Sequence, residues 1–298
     1  FSFPFFKKKE SQTLNFGLYI TDASLIGFLF DTKNGTPEIV ATHSTGLSSG
    51  FDKILEDTDN IISEIELKTS LQIVKTIFFL HSWMIDEQSY EIKEPYKQIV
   101  KQLAKDLELQ PMGYIDVQEA LHEYLQKISI LNTVAIEVNK TKLGVFVYKG
   151  GKKVYHQYTA RTDLVGEDIQ SVLETIPGGT VLPTKILIFG DTDSAKVSSE
   201  LATYEWGAKI FTQHPTIEIL KQQDLNQALA TTFTEEVISQ IKVPNPSVPS
   251  SSVKQDAGLV DPPPETFGFV MGEDIGDVPM YHQEIIEDSS EVAQIPEE

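Results

Sequence analysis

The sequence predicts a mixed α/β protein built from two similar halves, and three observations carry that reading. The stretches "NFGLYITDASLIGFLFDTKNGTPEIVATHST" and "TVAIEVNKTKLGVFVYKGGKKVYHQYTART" share one plan: two apolar strands about a polar turn, then a third, more polar strand. They lie 118 residues apart, an offset that sets Ile20 on Val138, Leu25 on Leu143, Phe28 on Phe146 and Leu29 on Val147. After each, amphipathic helices alternate with short buried strands.

In chain order, strands are expected at 16–20, 25–30 and 37–44, with Lys33-Asn34-Gly35 as a tight turn. Ile54, Ile61, Ile62 and Ile65 recur at helical spacing through "FDKILEDTDNIISEIELKT", and "IVKTIFFLHSW" reads as a buried strand. Ile99, Val100, Leu103, Ala104 and Leu107 share one face of a helix in "YKQIVKQLAKDLEL". "YIDVQEALHEYLQKIS" is a further helix, with Asp116 as its N-cap and Glu119 three residues on in a box-like pattern. The second hairpin follows, then a helix "GEDIQSVLETI", a strand "KILIFG", a helix "DSAKVSSELATYEWG", a strand "KIFT" and a closing helix near 224–241.

The ends differ from this body. Residues 243–298 hold twelve acidic residues against Lys254 alone, and eight of the fifteen prolines. That segment is expected to be a disordered linker and acidic tail, because it offers too little apolar surface to offset ordering. Within it Phe267, Phe269 and Met271 are candidate anchors for a partner; the plainer reading is a solubilising tail. "FSFPFFKKK" at the start pairs four Phe with three Lys, which suits either a peripheral membrane-surface contact or an apolar segment tucked against the body. The expected division is therefore 1–13, an aromatic and basic segment; 14–132 and 133–242, the two halves; and 243–298, linker and tail.

Composition excludes several classes. With no cysteine, disulfides, thiolate metal sites and cysteine nucleophiles are out. A net charge of −20 disfavours nucleic acid as a partner. No apolar run reaches the length of a membrane span. The six histidines are scattered without metal-ligand spacing, and neither a P-loop nor a G-x-S-x-G elbow is present. Trp83 and Trp206 each border an apolar run and are expected in the core.

Over roughly residues 14–241 the sequence resembles the actin-like ATPase superfamily, specifically the pilus-assembly protein PilM and the cell-division protein FtsA. The resemblance rests on the paired hairpins, the aromatic-plus-lysine start, the helix at 116–128, "TDLVGEDIQSVL" (similar to the family's "GGxxIT" helix entry), "ILIFGDTDSAKVSSELATYEWGAKIF" (similar to its adenosine loop) and "DLNQALATTF". It implies a two-lobed, ribonuclease H-like fold with a nucleotide cleft between the lobes. Only "PGGTVLP" separates Ile176 from Thr184, where the family inserts several helices, so the second lobe is expected to be reduced.

The same resemblance places family chemistry at the hairpin turns, where a "DxG" supplies an acid for magnesium and a glycine whose backbone approaches the phosphates. Here the first turn reads Tyr19-Ile20-Thr21 and the second Glu137-Val138-Asn139, so Glu137 alone keeps the acid and neither glycine remains. Asn139 tolerates positive φ and would keep the turn's shape; Asp22 offers an acid in another register. Asp191 and Asp193 read as helix capping rather than as a metal pair. Were a nucleotide bound, the candidate residues would be Asp22, Ser24, Glu137, Asn139, Thr141, Gly166, Gly190 and Asp191.

The expectation is a non-catalytic scaffold without a cofactor. It would sit in the cytoplasm, at most peripheral to the inner face of the membrane, in a bacterial envelope machine. Its partner there would be the cytoplasmic tail of a membrane protein, with self-association as a further contact. The alternatives are an ATP- and magnesium-dependent protein of the PilM or FtsA type using Glu137 and Asp22, and an interaction module acting through its tail.

Overall fold

The computed structural model describes residues 13–242 apart from 34, 48, 178–181, 191–192 and 208, and no side chains at 238–242. The first half runs β1 (Leu14–Ile20), β2 (Ser24–Asp31), β3 (Glu38–Gly46), α1 (Ile54–Thr69), β4 (Lys75–Leu80), α2 (Tyr96–Asp106), β5 (Gln110–Asp116) and α3 (Val117–Lys127). The second repeats that order: β6 (Thr133–Val138), β7 (Lys142–Lys149), β8 (Lys152–Ala160), α4 (Val165–Glu174), β9 (Lys185–Phe189), α5 (Ser194–Thr203), β10 (Thr216–Ile219) and α6 (Gln222–Lys242). Each half holds a five-stranded sheet, ordered β3-β2-β1-β4-β5 and β10-β9-β6-β7-β8, which is the same topology read from opposite edges.

The 118-residue offset holds at the level of register. Ile20 pairs Leu25 and Phe16 pairs Leu29 in the first hairpin. Val138 pairs Leu143 and Val134 pairs Val147 in the second. In each sheet the hairpin's first strand then pairs in parallel with the strand that follows a helix, β1 with β4 and β6 with β9.

Strand periodicity sorts side chains into three apolar layers. Phe16, Leu18 and Ile20 face outward onto Ile61 and Ile65 of α1 and Leu103 of α2. Ile136, Val138 and Val145 face outward onto Ile169 of α4 and Leu201 of α5. Between the sheets, Phe28, Phe79, Phe146 and Phe189 meet Leu121 of α3 and Leu229 and Phe233 of α6. Both faces of the central strands are covered, which is why their sequences read as apolar runs rather than as alternation.

Two expectations need correction, and one strand went unread. "KIFT" is not a strand: residues 209 and 210 lie in a turn, and the edge strand is β10, four residues on. β5 was hidden because "QPMGYID" carries Pro and Gly and only Gly113 to Asp116 are buried. Asp193 stands at the N-cap of α5 with φ 56°, but its carboxylate makes no cap hydrogen bond and is turned to Arg161 instead. Asp116, by contrast, caps α3 as expected, accepting from Gln118 N. The gap between α4 and β9 is ten residues long. Asp191, the N-terminal segment to residue 12, and the tail with Phe267, Phe269 and Met271 lie outside the described residues.

Candidate functional site

The carboxyl ends of β1, β4, β6 and β9 converge between the halves, the position where open α/β sheets place ligands. Both hairpin turns stand there. In the first, the Thr21 hydroxyl accepts from Ala23 N at 3.1 Å and Ser24 N at 2.8 Å, so this side chain takes up the turn's own amides. Thr21 N and Oγ1 in turn donate to Ser24 O. The second turn points its amides at the first. Lys140 N and Thr141 N donate to the Asp22 carboxylate at 2.8 and 3.1 Å, and the Thr141 hydroxyl donates to it at 3.1 Å. Neither Thr21 nor Asn139 adopts positive φ, so the left-handed conformation expected of Asn139 is not needed.

Behind the turns, the offset makes Tyr19 and Glu137 equivalent, and His81, the residue after β4, bridges them. Its Nε2 lies 3.3 Å from Tyr19 Oη and its Nδ1 2.6 Å from Glu137 Oε1. Asn139 Nδ2 donates to Oε1 at 2.6 Å; Gln118 Nε2 and Tyr158 Oη donate to Oε2 at 3.2 and 3.1 Å. Glu137 and His81 are wholly buried. Burial by itself would raise the Glu137 pKa, but the His81 charge and the hydrogen bonds from His81, Asn139 and Tyr158 outweigh it and hold the carboxyl below its ordinary value. Burial and the Glu137 charge hold the Tyr158 phenol well above its ordinary pKa, so it remains a donor. An aromatic stack backs the pair: Trp83 lies on His81 and Tyr96 meets Trp83 edge-on. Lys142 from the second half covers the Trp83 ring at 4.3 Å.

Beside the second turn, Gly190 has φ 121°, and a Cβ there would sit 2.3 Å from the Val138 carbonyl oxygen. This glycine lets the loop after β9 lie on the end of β6. Arg161 joins the two, donating to Asn139 O and to Asp193 Oδ2, each at 2.9 Å. A cavity of about 470 Å³ opens alongside, lined by Lys140, Arg161, Lys196, Asp163, Asp193 and Glu200 among others. Gly166 does not face it as an open backbone. Its N–H donates to Glu200 Oε1, and its missing side chain accommodates the Tyr204 ring.

Two further acids lie at the start of α3. Burial pushes Asp116 up to about 6, against hydrogen bonds from Ser82 and Gln118 that lower it. Burial and the Asp116 charge push Glu119 up to about 8. A folded-state carboxyl pKa above its unfolded value means that the folded state holds the proton more tightly. Stability is then lost as pH rises from about 4.5 through about 8. Glu119→Gln is expected to remove most of that loss, on the order of 1 kcal/mol or more near pH 8. Thermal melts of both proteins at pH 5.5 and 8.5 check it; equal slopes would contradict the assignment.

The structure thus brings together Asp22, Ser24, Glu137, Asn139, Thr141 and Gly190, and leaves Gly166 apart from them, packed under the Tyr204 ring. Sequence reading did not find Thr21, His81, Gln118, Tyr158 or Arg161. His81 alone left a signal, a histidine at the carboxyl end of an apolar strand beside the first hairpin. Among the described residues no group of three or more His, Cys, Asp or Glu could hold a metal ion. Among them, too, no helix is long and apolar enough to cross a membrane.

No protein-family model matches the sequence, and no curated protein matches it. Solved structures do. The ethanolamine utilization protein EutJ from Carboxydothermus hydrogenoformans superposes with a TM-score of 0.51 at 10% identity, over 73% of this chain and 89% of that one. Looser likenesses are a Bacteroides thetaiotaomicron protein with actin-like ATPase fold and unknown function (TM-score 0.47, 12% identity, 74% and 96%) and the activator of the 2-hydroxyisocaproyl-CoA dehydratase from Clostridium difficile with bound ADPNP (0.48, 12%, 78% and 99%). With the duplicated sheet topology, the likeness to EutJ shows the expected fold: two mixed five-stranded sheets with helices in an actin-like α/β arrangement.

Proposed function

We propose that this chain is a non-catalytic actin-like scaffold whose cleft is occupied by its own side chains. One observation carries the reading: the Ala23, Ser24, Lys140 and Thr141 amides and the Glu137 carboxylate, which a magnesium nucleotide would meet at the turns, are already engaged. The first turn's amides bond to Thr21, and the second turn's amides bond to Asp22. A histidine sits on Glu137, the acid left in the family register, and three further donors fill its remaining lone-pair positions. A cation approaching Glu137 would have to displace buried partners, and phosphoryl chemistry depends on positioning that cation and the phosphates.

The finer assignment draws on sequence resemblance to PilM. The chain would act in a bacterial envelope machine at the cytoplasmic side of the membrane, binding the cytoplasmic tail of a membrane protein. The second reading, a nucleotide-binding switch, draws on the cavity beside Gly190; Asp163, Asp193 and Glu200 in its wall would repel a polyanion. Melting with and without Mg-ATP separates the two. A ligand at a hundred times its Kd adds about 2.7 kcal/mol, which a melt resolves. No shift and no turnover above background are expected. Magnesium-dependent hydrolysis by the wild-type chain would sink the scaffold reading.

A further inference from the structure

The Asp22 contact spans 118 residues and joins the two halves at their turns, and nothing in the fold obliges a carboxylate to stand there. Its geometry is that of an anion in a backbone nest: two successive N–H groups and one hydroxyl converge on one carboxylate. The positive side of the site extends beyond them, since Arg161 bonds the carbonyl of the preceding residue, Asn139, and Lys140 lines the adjoining cavity. The cavity as a whole is not basic. Its three cations face three acids, of which Asp193 is paired with Arg161 and Glu200 accepts from Gly166 N. That balance suits an anion the size of a carboxylate and not an extended polyanion.

We infer that the second turn is an anion site that Asp22 fills from the other half, so that this side chain acts as an intramolecular latch. A small tetrahedral oxyanion takes the vacated place when the carboxylate is removed. The latch works with the other contacts across the cleft, Lys142 over Trp83 and His156 with Glu87 at 3.3 Å, to hold the halves closed without a ligand. The inference does not depend on the scaffold reading. A latch of this kind would equally silence a chain that bound nucleotide.

The test uses the full chain, its Asp22→Ala variant and the shape-preserving Asp22→Asn. Hydrogen exchange should find the Lys140 and Thr141 amides protected in the wild type, and on the order of tenfold faster in Asp22→Ala. Sodium sulfate at tens of millimolar, against sodium chloride at matched ionic strength, should raise the Tm of Asp22→Ala and slow those two amides, with no such effect in the wild type. Asp22→Asn, which keeps the volume and loses the charge, should show faster exchange than the wild type even if Asp22→Ala folds poorly. Unprotected amides in the wild type would overturn the latch. So would sulfate effects of equal size in wild type and variants, or a folded Asp22→Ala that ignores sulfate. Mg-ATP hydrolysis measured in parallel reports on the scaffold reading separately.

Discussion

Glu137→Ala is expected to destabilise the folded chain by about 3–5 kcal/mol, the cost of leaving one member of a buried ion pair without its partner. The residue is wholly buried, 2.6 Å from His81 Nδ1, and holds three further donors from Asn139, Gln118 and Tyr158. Replacing it strands all four at once in a site with little access to water. From sequence alone, this substitution in a scaffold would change only local packing. The geometry revises that, because Glu137 joins β6 of the second half to the residue after β4 of the first. His81→Ala should cost nearly as much, and the double variant less than the sum of the two, since each single change leaves the other's charge exposed to the interior. Urea melts of the four proteins give the coupling. Strict additivity would mean that the pair contributes nothing. The sign of the acid limb follows from the lowered carboxyl pKa: the stability that Glu137 supplies is present above the ordinary glutamate value and lost below it, so wild type and Glu137→Ala should converge in acid.

What the sequence made legible follows one physical distinction. The hairpins, α1, α3 and α6 are written in local periodicity, and the duplication in an offset that the strand registers reproduce residue for residue at Ile20, Leu25, Val138 and Leu143. β5 and β10 were not legible, since edge strands need only a few buried residues: Gly113 to Asp116 in β5, and none fully buried in β10. The site was half legible. Glu137, Asp22 and Gly190 stood out against a family pattern. Their partners did not: Thr21, Tyr158 and Arg161 are unremarkable in their own windows, and His81, although it ends an apolar strand, acquires its meaning only where strand ends from both halves meet. A pattern that has lost its glycines reads as decay. In the structure the first turn's amides meet a hydroxyl, the second turn's meet a carboxylate, and Glu137 meets an imidazole.

Gly190→Ala is the second large effect expected, a loss of about 3 kcal/mol or more, with the damage concentrated at the second turn. Two penalties add there. At φ 121° an L side chain is strained wherever it stands, and the new Cβ would lie 2.3 Å from the Val138 carbonyl oxygen and 3.1 Å from its carbon. Both are backbone atoms of β6, so relief requires moving the strand end that carries Glu137 and the turn beyond it. Two other glycines separate the terms. Gly46→Ala meets nothing nearer than 3.9 Å at an ordinary φ and should be close to neutral. Gly35→Ala, at φ 75° with open space around it, should lose only the conformational part, about 1–2 kcal/mol. Denaturant melts should therefore order the three as Gly46, Gly35, Gly190. In Gly190→Ala the Arg161 bridge to Asn139 and Asp193 should also loosen, raising amide exchange at Lys140 and Thr141 before the rest of the sheet opens. A Gly190→Ala protein as stable as Gly35→Ala would show that the loop can retreat from β6, and that the second turn is not held by the close approach of these two strand ends.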